Sequence, residues 1–238
     1  MKKTVLKKKM IDASPRKYYK GPMFAAPGEV GPLFGYCSFE EANEIDSDFA
    51  IIDLETSGLS ANTSRVLEIA ILRVDKKGKV LDSFETLINP ESEDVGRSDI
   101  HQITYKMLNK APKFSEISGN ILNMLSGAVV VAHNAKFEEN FLQSEFSRLG
   151  KKLSRIPAID TMWVAQMKLD LFNYKLNTVA DYYGVTVENA HTAMGDITAM
   201  REFLPKLLSS SPEIRFPINI AKFPASTNSD ALITRGAR

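Results

Sequence analysis

Cysteine is almost absent from this sequence, which contains Cys37 and no other. A single cysteine excludes an intramolecular disulfide, and it has no companions at the spacing of a metal site, so we expect a free thiol. An excess of positive charge is also absent, because 30 Lys and Arg residues balance 29 Asp and Glu residues to a formal net charge of +1. This balance excludes nucleic-acid binding by bulk electrostatics, so any recognition of phosphate must be local.

Long hydrophobic runs are missing as well. No apolar stretch approaches the ~20 residues that span a bilayer, and the lysine-rich start of the chain is not followed by the apolar core of a secretory signal. We therefore expect a cytoplasmic protein without a membrane segment. The 238 residues have room for one domain plus tails, and we find no internal repeat.

The two ends of the chain differ in composition from its centre. Residues 1–46 contain prolines, glycines and lysines without a regular period, and they predict an irregular basic N-terminal arm. Its lysines and aromatic residues could contact nucleic acid, but a solvated tail packed loosely on the domain is the simpler interpretation. Residues 209–238 are rich in serine and proline and predict a mobile tail or a docking segment. The domain itself is expected at 47–208.

Within that domain the hydrophobic pattern alternates between strands and helices. Apolar runs with β-branched residues predict strands at 49–54, 66–74, 80–88, 128–132 and 156–159. Helical spacing predicts helices at 114–125, at 135–149, directly after Asp160 and Thr161, and at 193–208. Three antiparallel strands followed by alternating helices and strands indicate an α/β fold with a mixed sheet flanked by helices.

Acidic residues occur at three points of this pattern where apolar residues would be expected. Asp53 and Glu55 lie two apart at the end of the first strand, so their carboxylates share a face and repel unless cations lie between them. Such a pair also occurs by chance on surface strands. Glu138 lies near the middle of the apolar stripe of its helix, with Glu139 at the edge of that stripe, and an ionisable group there must be paired or bound to metal.

The third acidic point combines an aspartate with a histidine. Asp196 lies on the inward face of the last helix, and His191 precedes it by five residues in the lead-in loop. A lone histidine is more often structural, but beside an inward aspartate an imidazole is a candidate general base for activating water. Four carboxylates and one histidine from three distant segments are what a two-metal phosphodiester-cleaving site requires.

Together these motifs resemble the DnaQ-like, or DEDDh, 3′ to 5′ exonucleases, which include the proofreading ε subunits of bacterial DNA polymerase III. The resemblance covers residues 47–208. Its motifs are Asp53-Leu54-Glu55, His133-Asn134-Ala135 with Phe137, and the HxAxxD pattern of His191, Ala193 and Asp196, with lesser matches at Glu68-Ile69-Ala70, His101-Gln102-Ile103-Thr104 and Asp160-Thr161. The resemblance implies a ribonuclease H-like fold with a five-stranded mixed sheet.

The resemblance also implies a site and a reaction. Two divalent ions, Mg²⁺ or Mn²⁺, would be held by Asp53, Glu55, Glu138 and Asp196, and His191 would take the proton of the attacking water. The terminal nucleotide would be held by Thr56, Gly58, His101 and Asn134. The substrate would be the 3′ end of a nucleic acid, DNA rather than RNA, in proofreading or repair, with a nucleoside 5′-monophosphate as the product.

The sequence departs from the family pattern at two positions. Glu138 stands where aspartate is usual, which keeps the charge but extends the carboxylate by one methylene, so we expect an altered metal preference or a slower rate. Gln102 stands where glycine is frequent. An RNA 3′-trimming enzyme and a non-catalytic nucleic-acid-binding module remain as alternative functions.

A partner is suggested by one further segment. Residues 166–172, Gln-Met-Lys-Leu-Asp-Leu-Phe, resemble the pattern by which replication proteins dock onto sliding clamps, so a replicative polymerase or a clamp is a candidate partner. Trp163, Met167 and Leu171 have helical spacing, however, and this favours a helix packed on the core.

Overall fold

The computed structural model describes residues 29–37, 47–209 and 219–235, and the predictions for the remainder of the two ends lie outside these ranges. Six strands and seven helices follow one another in the described chain: β1 (Phe34–Tyr36), β2 (Asp48–Thr56), β3 (Val66–Val74), β4 (Val80–Leu87), α1 (Ser98–His101), α2 (Tyr105–Leu108), α3 (Phe114–Leu125), β5 (Ala128–Ala132), α4 (Lys136–Arg148), β6 (Ile156–Asp160), α5 (Thr161–Lys168), α6 (Leu176–Tyr182) and α7 (Ala193–Ser209). No helix in the described ranges has the length and apolar character needed to cross a membrane.

The strands form one mixed sheet in the order β1-β6-β5-β2-β3-β4. β2, β3 and β4 are antiparallel neighbours, whereas β2, β5, β6 and β1 run parallel to one another. The predicted α/β class and mixed sheet are therefore confirmed. Because parallel strands end at the same edge, the segments that follow β2, β5 and β6 meet there, which is where binding sites form in open α/β sheets.

The central strand β2 separates two hydrophobic layers. Its residues alternate between them: Ala50, Ile52 and Leu54 pack towards α3 and α4, while Phe49 and Ile51 pack towards α5, α6 and α7. Continuing this alternation places the odd-numbered acidic residues at the end of β2 on the α7 side.

The expected number of five strands was wrong, because the N-terminal arm supplies a sixth. β1 pairs with β6, and the amides of Phe34 and of Leu33, the residue before β1, donate to Oε1 of Glu139 at 2.7 and 2.9 Å. The Tyr36 hydroxyl donates to Oε2 of the same carboxylate at 2.8 Å. Glu139, expected at the edge of the apolar stripe of its helix, is therefore fully buried, since residues 33–36 cover it.

The C-terminal prediction also needs correction for residues 219–235. This segment does not extend away from the domain, because Ala221 is buried in the core and the carbonyl of Ile233 accepts from the amide of Leu87 in β4 at 2.7 Å. It is docked on its own domain. Because this segment forms neither a helix nor a strand, its sequence has no periodic pattern from which its docking could be predicted.

We predict that Glu139→Ala destabilises the protein by about 3 kcal/mol, because it leaves two buried amides and a buried hydroxyl without an acceptor. Chemical denaturation of both proteins measures this. Glu202→Ala is the matched control, because Glu202 is half exposed beside Arg201 and its loss should cost less than about 1 kcal/mol. An equal loss of stability in the two variants would contradict the conclusion that Glu139 holds residues 33–36 on the domain.

Candidate active site

Three of the predicted ligands meet at the edge where β2 ends. Carboxylate oxygens of Asp53, Glu55 and Asp196 all lie within 4.8 Å of one another. Asp53 and Glu55 project from one face of β2, and Asp196 comes from the first turn of α7, which packs over that face. The apolar contacts of β2 with α7 thus bring together acids that are 143 residues apart in sequence.

The cluster is electrostatically strained without cations. Burial raises the pKa of Asp53 well above the usual aspartate range, and the charges of Glu138, Asp196 and Glu55 raise it further. The pKa of Glu55 is raised to about 8, mainly by burial. Burial also raises the pKa of Asp196 to about 6, against the lowering influence of His191. Bound cations would remove this repulsion.

Glu138 lies outside the 4.8 Å group but close enough for its charge to raise the pKa of Asp53. Its side chain is 3% exposed, its pKa is raised by burial, and Oε2 has no hydrogen-bond partner. Glu145 on the same helix is equally buried but ion-paired to Arg65 and Arg148 at 2.8 and 3.1 Å. The two acids therefore differ: Glu145 is satisfied by the protein, whereas Glu138 retains an oxygen for a ligand.

His191 occupies the turn before α7 with an exposed side chain. Its backbone has a positive φ of 64°, and His191 lies close enough to the Asp196 carboxylate to lower the pKa of that group. Gly195 allows this turn to fold against the helix, because a Cβ there would lie 2.4 Å from the carbonyl oxygen of Glu188. The imidazole is thus tethered beside the cluster yet accessible to solvent, as a general base needs to be.

Three of the predicted substrate contacts lie at this edge of the sheet: Thr56 and Gly58 at and after the end of β2, and Asn134 after the end of β5. Thr56 donates from Oγ1 to the carbonyl of Gly58 at 2.8 Å, so this turn is held closed by its own threonine. Asn134 lies after β5 with a positive φ of 70°. Its Oδ1 is buried without a partner, and an unsatisfied amide oxygen at this edge is a further position that a ligand can occupy.

His101 does not fit the predicted contact with the terminal nucleotide. Its ring is 3% exposed, Nδ1 accepts from the amide of Ile103, and Nε2 lies 3.0 Å from the carbonyl of Val95. Both ring nitrogens are therefore used within the 95–103 loop, and burial lowers the pKa of the imidazole. His101 shapes this loop and presents no free ring atom to a substrate.

Two further acids, both buried, support the site, although the sequence analysis assigned no role to either. Asp160 accepts from the amides of Asn134, Ala135, Met162 and Trp163, which joins the second motif to the start of α5. Glu68 is fully buried and accepts from the amide of Ala193 at 3.0 Å. A glutamate within the apolar run of β3 was the available signal for Glu68.

The donor set fits hard divalent cations. It consists of carboxylate oxygens, which Mg²⁺ and Mn²⁺ prefer, and it includes one buried carboxylate oxygen, on Glu138, that no protein group satisfies. An acidic cluster able to hold metal is therefore present.

Comparison with curated proteins gives relatives in bacterial DNA replication. The chain is 32% identical over 179 residues to the DNA polymerase III PolC-type of Caldanaerobacter subterraneus subsp. tengcongensis, a match that covers 74% of this chain but 12% of that protein. It is 35% identical over 167 residues to the DNA polymerase III subunit epsilon of Treponema pallidum, covering 68% of this chain and 76% of the subunit. The chain thus spans a small part of the PolC-type proteins.

Comparison with solved structures identifies the fold. The E. coli exonuclease I complex with single-stranded DNA, in its zinc-bound form, superposes with a TM-score of 0.59 at 16% identity, covering 70% of this chain and 41% of that one. Exonuclease I from Methylocaldum szegediense gives a TM-score of 0.58 at 16% identity, with coverage of 70% and 41%. These similarities confirm the predicted ribonuclease H-like fold. A family model described as "Exonuclease" matches residues 50–204 and so includes every clustered acid, and the chain therefore belongs to this exonuclease family.

Proposed function

We propose that the protein is a metal-dependent 3′ to 5′ exonuclease that removes nucleoside 5′-monophosphates from the 3′ ends of DNA. The observation that carries the proposal is the meeting of Asp53, Glu55 and Asp196 within 4.8 Å, beside the unsatisfied oxygen of Glu138. Partly buried acids that lie together destabilise a protein when its own cations do not neutralise them fully, so their retention is explained by a ligand of opposite charge.

Each residue of the cluster has a distinct task in this proposal. Asp53, Glu55 and Asp196 would hold the first of two Mg²⁺ or Mn²⁺ ions, and Asp53 with Glu138 would hold the second. When bound, the ions would supply positive charge to the scissile phosphate and acidify the attacking water. His191 accepts the proton of that water at its exposed ring, which belongs to the turn beside Asp196.

The terminal nucleotide is proposed to lie against the end of β2 and the start of α4. The Thr56–Gly58 turn supplies backbone groups on one side, and the free Oδ1 of Asn134 accepts a hydrogen bond on the other. DNA is favoured over RNA because curated relatives are DNA polymerase III proteins and the exonuclease I complex contains single-stranded DNA. Proofreading or repair, in the cytoplasm, is the corresponding setting.

Residues 166–172 both pack on the core and expose one aromatic side chain. Met167 and Leu171 contact the core, as their helical spacing predicts, but α5 ends at Lys168 and Phe172 is 91% exposed. An exposed phenylalanine after a leucine-rich turn can insert into an apolar groove. We propose that this segment docks onto a replicative polymerase or a sliding clamp.

Asp53→Ala should reduce cleavage about a thousandfold or more, because it removes the ligand shared by both proposed ions. Degradation of a 5′-labelled single-stranded DNA, and of the matched RNA, with Mg²⁺ or Mn²⁺ measures this. Asp82→Ala is the control, since Asp82 is exposed on β4. Faster turnover of RNA would identify a trimming ribonuclease, and a folded wild-type chain that cleaves neither substrate and binds no metal would identify a non-catalytic module.

Glu138→Gln and Glu145→Gln should shift stability in opposite directions in metal-free buffer at neutral pH. Glu138→Gln removes a buried charge without a partner and should stabilise the fold by about 1 kcal/mol, whereas Glu145→Gln breaks a paired carboxylate and should destabilise it by about 2 kcal/mol. Cleavage should fall at least about a hundredfold in Glu138→Gln. Chemical denaturation and the DNA assay test both effects, and destabilisation by Glu138→Gln would contradict its role as a ligand.

Phe172→Ala should weaken binding to a sliding clamp at least about tenfold while leaving cleavage of free DNA unchanged, because Phe172 is exposed and outside the acid cluster. Surface plasmon resonance against a purified bacterial clamp measures this. Leu59→Ala is a matched loss of an exposed apolar side chain elsewhere, and it should leave clamp affinity unchanged. Unchanged affinity in Phe172→Ala would dismiss this docking segment.

A further inference from the structure

The segment 219–235 lies outside the part of the chain that the family model matches, yet it is bound to the domain at many points. On α3, Asn120 bonds both the amide and the carbonyl of Ser229, and Asn123 does the same with Ser226. Gly119 lets the segment approach, because a Cβ there would lie 2.5 Å from a backbone oxygen of the segment. The face of α3 is thus specifically shaped for this segment.

The far end of the segment enters the site. After pairing with β4 at Ile233, the chain places Arg235 against Glu68, with Nε and Nη2 at 2.5 and 2.7 Å from the two carboxylate oxygens. Nη1 donates to the carbonyl of His101. The arginine and glutamate side chains are 6% and 0% exposed, so this two-point ion pair is shielded from solvent and from salt.

The ion pair contacts the elements that carry the clustered acids. Glu68 is the cross-strand partner of Glu55 in the β2–β3 ladder. Its Oε2, which accepts from Arg235, also accepts from the amide of Ala193, the first residue of α7. Ala193 lies between His191 and Asp196, so Glu68 fixes the start of the helix that supplies Asp196 and the end of the turn that carries His191.

We propose that Arg235 is a positioning residue of the active site: by holding Glu68, it fixes the start of α7 so that Asp196 meets Asp53 and Glu55, and the C-terminal segment is thereby required for tight binding of divalent cations. Without the guanidinium, Glu68 would be a buried carboxylate with no cation beside it, and it would leave its place under α7 to reach water. The inference rests on the proposed function, because it concerns the same metal site.

Binding of Mn²⁺ to the full-length chain, measured by titration calorimetry, tests this directly. Arg235→Met should weaken Mn²⁺ binding at least about tenfold, as loss of a group that orients metal ligands does, and Arg235→Lys should restore part of the affinity. The paired substitution Asn120→Ala with Asn123→Ala, which releases the segment from α3 without touching the ion pair, should weaken binding in the same direction. A thermal unfolding curve without metal accompanies each variant.

Arg73→Met is the matched control. Arg73 is also a partly buried, ion-paired arginine, bonded to Asp48 and to the carbonyls of Met124 and Ser126, but it lies at the opposite end of β2 from the acids. The Arg73→Met substitution should lower the unfolding temperature and leave the Mn²⁺ affinity unchanged.

The possible outcomes separate the two proposals. Wild-type Mn²⁺ affinity in folded Arg235→Met, or an equal loss in Arg73→Met, would overturn the positioning role and leave the proposed function standing. A wild-type chain that binds no Mn²⁺ would overturn the proposed function, and this inference with it. If Arg235→Met does not fold, unchanged affinity in the Asn120 and Asn123 variant overturns the positioning role.

Discussion

Repulsion among carboxylates at the edge of the sheet is the constraint that the rest of the structure has to withstand. Asp53, Glu55 and Asp196 are held within 4.8 Å in a place where burial already penalises their charged forms. Nothing in that cluster favours its own assembly. The acids stay together because β2 is bonded on both sides in the sheet and because α7 packs its apolar face on the same layer. Hydrophobic packing therefore supports a cluster that electrostatics opposes.

The fold separates acids that stabilise it from acids that it leaves for a ligand. Glu139, Glu145 and Asp160 are all buried, and each accepts a hydrogen bond from a backbone amide. Glu139 is also ion-paired with Lys136, and Glu145 with Arg65. Glu138 is buried among them, yet one of its oxygens has no partner. Burial alone therefore does not identify a ligand; the distinguishing property is whether the protein satisfies the charge.

Much of the fold could be predicted because it rests on local periodicity. The boundaries of β3, α3 and β5 agree with the sequence pattern, since their apolar residues recur at the spacing of their own element. β1 could not be predicted in this way, because three residues carry no period and their stability comes from Glu139 and β6. The buried ring of His101 could not be predicted either, because its two partners come from a loop whose path no pattern specifies. The ion pair of Arg235 could not be predicted, because its partner Glu68 lies 167 residues earlier in the sequence, on β3.

A nearly neutral chain with an acidic cleft binds a polyanion poorly unless cations neutralise the acids of the cleft. The net charge of +1 gives no long-range attraction to a phosphate backbone, and the acids at the edge would repel one. Arg235 offsets this repulsion only in part: its charge lowers the pKa of Glu55 and of Asp196, but the guanidinium is paired with Glu68. Cations held by the cluster would reverse the local charge only where the reacting phosphate lies, so binding and catalysis would be gained in the same step. Under the proposed function, the site would then be selective for a strand end that can reach those ions, rather than for nucleic acid in general.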